Sequence, residues 1–248
     1  MAKVDDLARM IADARRIVAF TGAGISTESG IPDFRSPGGI WTKFKPIEFS
    51  DFIASADARR ESWRRKFASD AVMKAATPNA GHRALARLVE QGRMFAVITQ
   101  NIDGLHQASG IPDDKVIELH GNATYASCLD CGERYTLDWV REIFSLDERL
   151  PKCTACGSMI KTATISFGQS MPEDEMERAR EVALEADLCI TIGSSLVVYP
   201  AAGFPIMAKR NGARYVILNR DPTDQDPIAD LVINAEIGPT LSRAVGVN

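Results

Sequence analysis

The sequence predicts an α/β protein: an open, mostly parallel sheet with helices on both faces, carrying a smaller lobe made from two inserted segments. Three observations lead there. Short, continuous apolar runs of strand length alternate with stretches of helical period. The first run ends directly in Gly22-Ala23-Gly24, as nucleotide-binding α/β domains commonly begin. Two segments, 36–81 and 123–161, break the alternation. A chain of 248 residues is long enough for one large domain with such insertions. Its composition, 45% hydrophobic and 25% charged, excludes collagen-like and mostly disordered chains. A formal charge of -4 gives no support to specific nucleic-acid binding, and no apolar run is long enough to span a membrane.

Taken in order, Val4, Leu7, Ile11 and Ala14 recur at helical spacing and are followed by a strand at 17–20. Runs at 94–99, 116–119, 162–167, 188–193, 215–219 and 231–234 read as further strands, with helices at 82–90, 173–185 and 201–209. The first insertion holds Pro37-Gly38-Gly39 and an Arg-rich helix with Arg59, Arg60, Arg64 and Arg65, read as a solvated face, the alternative being attraction of acidic partners. The second holds paired cysteines. The expected division is therefore 1–35, 82–122 and 162–248 for the large domain, with a helical module at 36–81 and a metal-binding module at 123–161 forming the small lobe. Open α/β sheets bind ligands beyond the carboxyl ends of their strands, which puts the expected site in a cleft between the lobes. Asp5, Asp6 and Asp13 argue against a secretory or transit peptide, so a cytoplasmic location is expected.

Cys128-Leu-Asp-Cys131-Gly132 and Cys153-Thr-Ala-Cys156-Gly157 are matched knuckles, 21 residues apart. Two residues between thiolates let both sulfurs face one ion, and the glycine removes a side chain where the backbone turns tightly around sulfur. Four thiolates fill a tetrahedral Zn2+ shell and leave no position for water, so one structural zinc ion is expected at Cys128, Cys131, Cys153 and Cys156. Free thiols or a redox pair are the alternative that two matched pairs disfavour. Cys189, inside an apolar strand, reads as core.

Gly22-Ala23-Gly24 lets the backbone approach a pyrophosphate and aim N–H groups at it, although Thr27 stands where a dehydrogenase fingerprint needs glycine. Alone, this turn is as consistent with plain structure as with phosphate binding. Thr99-Gln100-Asn101-Ile102-Asp103 places polar side chains at the end of a strand, which suits recognition of a ribose or an amide. Of the three histidines, His82 reads as a packing or capping residue, His106 as structural, and His120, at a strand end before Gly121, as the candidate proton acceptor.

With these residues in view, the chain resembles the sirtuins, NAD-dependent protein lysine deacylases. The matching stretches are GAGISTESGIPDFRS at 22–36, TQNIDGLH at 99–106, HG at 120–121, both knuckles, GSSLVVYP at 193–200 and VILNRDPT at 216–223. The resemblance implies a Rossmann-like NAD domain with inserted helical and zinc modules. It implies that Gly22, Ala23, Gly24, Thr27, Phe34 and Arg35 belong to the loop over NAD. Gln100, Asn101, Ile102 and Asp103 would form the ribose and nicotinamide pocket. Gly193, Ser194, Ser195 and Asn219 would meet the adenosine half, with Ile237 beside adenine. His120 is then the general base, with Asn101 and Asp103 as further catalytic residues. The implied chemistry expels nicotinamide from the ribose, passes the acyl group of lysine to ADP-ribose, and releases free lysine. The acyl-lysine protein would bind as an extended strand between Phe167-Gly168 and Leu196-Val197.

Gln169 stands where the family often has glutamate, and Thr162 where many members have proline; both bear on the substrate edge. Members that prefer succinyl or malonyl lysine carry a Tyr-x-x-Arg pair in the helical module, whereas no tyrosine lies within 36–81 here. Acetyl and other uncharged acyl groups are therefore expected. Protein mono-ADP-ribosyl transfer and a non-catalytic NAD-binding zinc module are the alternative functions.

Overall fold

The computed structural model describes residues 2–33, 39 and 45–247. The main sheet is parallel and six-stranded. It comprises β1 (Ile17–Thr21), β2 (Met94–Thr99), β3 (Val116–Glu118), β7 (Leu188–Ile192), β8 (Arg214–Leu218) and β9 (Leu231–Ile233), in the order β3-β2-β1-β7-β8-β9. The chain builds outward from β1 to β3, then returns to the other side of β1 as β7. The order reverses between those two neighbours, and a crevice opens there at the carboxyl end of the sheet.

Both faces are covered, which explains why the central strands read as unbroken apolar runs. β1 and β7 are buried at every position. Ile17 and Ala19 point to one side with Leu7 and Ile11 of α1 (Ala2–Asp13), Leu85 and Leu88 of α4 (Ala80–Glu90), and Leu241 of α9 (Ile237–Val245). Val18 and Phe20 point to the other, against Ala179 and Ala183 of α7 (Glu173–Glu185) and Phe204 and Ala208 of α8 (Gly203–Arg210). The period of two along β1 thus assigns alternate side chains to separate cores.

The small lobe has its own antiparallel sheet, β5-β4-β6, from β4 (Gly121–Cys128), β5 (Arg134–Thr136) and β6 (Ile160–Thr164). Here the structure corrects one expectation. The run at 162–167 was expected in the parallel sheet, but its first residues belong to β6 and pair with β4, Thr162 opposite Ala126. Its first two residues are buried and the remaining three only half-buried, unlike the fully buried central strands of the parallel sheet. Boundaries at 122/123 and 161/162 accordingly fall inside β4 and β6.

The helical module contributes α2 (Phe49–Ala54) and α3 (Ala56–Ala75). Trp63 of α3 enters the core of the zinc module, beside Val140 and Phe144 of α6 (Leu137–Phe144) and Ile160 of β6. Asp70, 3% exposed, clasps Lys66, Lys74 and Arg141, so α3 and α6 share one buried carboxylate. Burial opposes ionisation of that carboxyl, yet the Lys66 and Lys74 ammoniums hold its pKa below the usual carboxylate range. The arginines of α3 are spent internally: Arg59 on the carbonyls of Phe52 and Ile53, Arg60 on Asp57, Arg64 on Glu61 and Glu148, and Arg65 on Glu61. The sequence suggested a solvated face; the structure shows a partly exposed one whose arginines are paired within the small lobe.

The crevice depends on a backbone contact between two turns. Gly24 N–H donates to Gly193 O at 2.8 Å. A Cβ on Gly193, whose φ is +63°, would lie 2.4 Å from the Ile25 nitrogen. We therefore expect Gly193→Ala to destabilise the fold by about 2–4 kcal/mol, from overpacking and a left-handed backbone together. Denaturant unfolding checks this; an unchanged midpoint would show that the turns can separate freely.

Candidate active site

A cleft of about 950 Å3 lies beyond the carboxyl ends of β1, β2 and β7, between the sheet and the small lobe. Its walls bring together Gly22, Ala23, Gly24, Thr27, Gln100, Asn101, Ile102 and His120 with Gly193, Ser194, Ser195, Asn219 and Ile237. Phe167 and Gly168 line it from the substrate side. Asp103 stands behind this wall, and Leu196, 2% exposed, packs beneath it. Phe34 and Arg35 lie outside the described residues.

After β1 the chain enters a 3-10 stretch, Ala23–Ser29. The N–H groups of Gly22 and Gly24 are consumed by the carbonyls of Ile192 and Gly193. These glycines therefore serve the approach of two turns, whereas the amides of Ala23, Ser194 and Ser195 make no backbone hydrogen bond among the described residues. Thr27 returns its hydroxyl to the Gly24 carbonyl at 2.9 Å.

The loop after β2 is fixed from below. Asn101, 6% exposed, donates its side-chain amide to the Gly22 carbonyl and to Ser26 Oγ, both at 3.2 Å, and its backbone N–H to Thr99 Oγ1 at 3.0 Å. Ser26 Oγ in turn donates to Asp103 Oδ2 at 2.7 Å, while Asp103 Oδ1 accepts from Leu105 N at 2.9 Å. Gln100 donates to Ser194 Oγ at 2.8 Å and ties this loop to the one after β7. Asp103 thus acts through Ser26 on the orientation of Asn101.

His120 follows β3. Its Nδ1 lies 3.0 Å from the Gln100 carbonyl, an acceptor, so Nδ1 carries the proton and Nε2 is left as the basic nitrogen. Burial lowers its pKa below the ordinary 6.5, partly offset by that carbonyl, so the ring is neutral at neutral pH. The His120 carbonyl accepts from Ile165 N at 2.8 Å, which joins the base to the strand that leads to Phe167. The other histidines are buried in the interior. His82 completes a capping box with Asn79 at the start of α4. His106 reaches Thr21 Oγ1 at 2.9 Å. Burial drives their pKa values down to about 4 and about 3, so neither is charged at neutral pH.

On the substrate side, Phe167 is 44% exposed and its carbonyl accepts from Phe49 N at 2.9 Å, so α2 holds this edge. Gln169 accepts from Ser166 N at 3.2 Å through Oε1, a bond that a carboxylate in its place would also make. Val197 projects 48% exposed from the opposite loop. Ile165, Met171 and Tyr199 also line the cleft, and so does Glu28, whose carboxylate accepts from Gly238 N at 2.8 Å. Glu28 and Tyr199 fall inside the stretches 22–36 and 193–200 that carry the resemblance, whereas Ile165 and Met171 lie outside every such stretch.

Away from the cleft, Cys128, Cys131, Cys153 and Cys156 bring their sulfurs within 4.8 Å of one another. Cys128 and Cys156 are 3.4 Å apart, and Cys131 and Cys153 are 3.5 Å apart. A tetrahedral Zn2+ with bonds of about 2.3 Å needs sulfurs roughly 3.8 Å apart, so the donor set and its spacing fit the ion. Tyr135 donates its hydroxyl to Cys153 Sγ at 3.2 Å. Cys189 is separate: burial pushes its thiol up to about 12, consistent with inert core.

The pattern of the Sir2 family matches residues 22–200. A protein of Bradyrhizobium diazoefficiens named NAD-dependent protein deacetylase 1 is 63% identical over 98% of this chain and 95% of its own. A Sir2 variant solved with a deacetylated p53 peptide and 3'-O-acetyl ADP ribose has a TM-score of 0.88 at 39% identity, covering 98% of each chain. Sir2Tm bound to a propionylated peptide gives 0.86 at 38% identity, again over 98% of each chain. Likeness of this extent in sequence and in fold shows that the chain belongs to the Sir2 family.

Proposed function

We propose that this chain is an NAD-dependent protein lysine deacetylase that removes acetyl and other uncharged acyl groups, giving nicotinamide and O-acyl-ADP-ribose. The observation that carries this reading is the state of His120: a neutral imidazole, oriented by the Gln100 carbonyl, on the wall that also presents Gln100, Asn101 and Ile102. The names and bound molecules of the similar proteins support it. The reducing cytoplasm, where four thiolates stay available to a metal, is the compartment we infer. Among the described residues no helix is long and apolar enough to cross a membrane.

The residues divide the work by position. Ala23 offers a backbone amide that suits a pyrophosphate, and Ser194 and Ser195, with amides of their own, face the adenosine half together with Asn219 and Ile237. Asn101, pinned by Gly22 and Ser26, with Asp103 behind it and Ile102 beside it, forms the pocket for ribose and nicotinamide. NAD, when bound, supplies an electrophilic ribose carbon. His120 accepts a hydroxyl proton at Nε2. Phe34 and Arg35 are assigned to the loop over NAD by sequence alone. The acyl-lysine segment lies extended between Phe167-Gly168 and Leu196-Val197, its backbone paired on both sides. Zinc at Cys128, Cys131, Cys153 and Cys156 would tie the end of β4 to the segment before β6, its four thiolates leaving no position for water or substrate.

Acetyl-lysine peptides incubated with and without NAD should lose acyl mass only with NAD, and succinyl-lysine peptides should react far more slowly. A gain of ADP-ribose on the peptide would point instead to transfer, and NAD-independent loss would overturn the reading. His120→Ala should lower kcat/KM by about 10^2–10^4-fold while NAD still binds, as calorimetry would show. In the native enzyme kcat/KM should fall on acidification, as Nε2 gains its proton, with an apparent pKa below 6.5. A pH profile flat down to pH 4 would remove His120 as the base. Cys128→Ala should release zinc and lower the unfolding midpoint, because binding at a structural site is folding free energy; a metal-free variant that melts normally would contradict that role.

A further inference from the structure

Outside the cleft, the C-terminal part of α7 and the exposed side of α8 enclose a shallow groove of about 450 Å3. Leu184, Ile206 and Met207 give it apolar walls. Gly203 lines it too, and no atom lies within 4 Å of where its Cβ would stand, so this wall faces open space. Arg210 and Asn211 lie at its polar end. Asn211 spends its amide on the Leu184 carbonyl at 2.6 Å. Arg210 is exposed and makes no ion pair among the described residues, although the neighbouring Lys209 pairs with Asp230 and Arg214 with Asp13. A cation in the last turn of α8 suits the helix dipole, but that does not account for the apolar surface beside it.

Tyr199 connects this groove to the cleft. It lines both, and at 63% exposure it is more open than Val197 beside the substrate edge. Because Tyr199 belongs to both, the groove adjoins the wall along which a polypeptide extended beside Leu196-Val197 would run, advancing about 3.3 Å per residue. We propose that the groove is an accessory subsite for the substrate polypeptide. It takes an apolar side chain from the segment flanking the acyl-lysine, and Arg210 pairs with an acidic residue beside that side chain. Backbone pairing in the cleft reads little sequence, whereas this groove reads two side-chain types. The inference rests on the deacylase reading of the cleft.

The test uses 15-residue acetyl-lysine peptides whose flanks are alanine except for a Leu-Glu pair, moved stepwise along either side. At one position on one side the wild-type enzyme should show a KM about three- to tenfold below that of the all-alanine flank, with kcat unchanged. Ile206→Ala should erase most of that gain. Arg210→Glu should reverse the acidic preference, so that Leu-Lys becomes the better flank. All three enzymes should process a five-residue acetyl-lysine peptide equally, since neither substitution touches the cleft. A wild-type enzyme indifferent to the flanks, or a preference that survives both substitutions, would overturn the proposal. So would a homodimer in light scattering that Arg210→Glu dissociates, because the groove would then be covered by a second copy. Failure of the five-residue peptide in every enzyme would instead count against the function of the cleft.

Discussion

The approach of the two turns that follow β1 and β7 sets the geometry of everything around them. Gly24 and Gly193 touch through backbone alone, and the hydrogen bond between them closes the gap where the strand order reverses. That contact decides where the amides of Ala23, Ser194 and Ser195 lie, and it offers the Gly22 carbonyl to Asn101. Gln100 then ties the β2 loop to Ser194, and the Gln100 carbonyl orients His120. A side chain between the turns would spread all three loops apart.

The second lobe is organised around different physics. Trp63 and Phe67 of the helical module share an apolar cluster with Phe144 of the zinc module, and Asp70 gathers cations from α3 and α6. A buried carboxylate with that many partners is costly to break, because loss of one side leaves charge without compensation. The two insertions therefore behave as one lobe despite their distance in sequence. Their links to the large domain run through β4, β6 and the bond from Phe49 to Phe167, all at the edge of the cleft.

Much of this was legible in the chain itself. Continuous apolar runs marked strands covered on both faces, and the matched knuckles announced a metal centre because thiolate spacing is a local property. The polar cluster at 99–103 and the histidine at 120 were visible as chemistry placed at strand ends. The destination of 160–164 was not, since a short strand records its pattern but not its partner. Nor was the expenditure of the Gly22 and Gly24 N–H groups inside the fold, which depends on the carbonyls of Ile192 and Gly193, far away in the chain. The groove beside Tyr199 arises where two helices happen to leave space, and spacing along one helix cannot show that.

The pinning of Asn101 from beneath has a further meaning. Its amide is oriented by Gly22 and Ser26, and Ser26 by Asp103, all groups of the chain itself. Ordering that side chain is thus completed during folding rather than during encounter, so an arriving ligand surrenders little additional rotamer entropy there. Such a rigid floor rewards molecules already shaped to it and gives misfitting ones no plastic accommodation. Selectivity at this end of the crevice is therefore a property of stiffness.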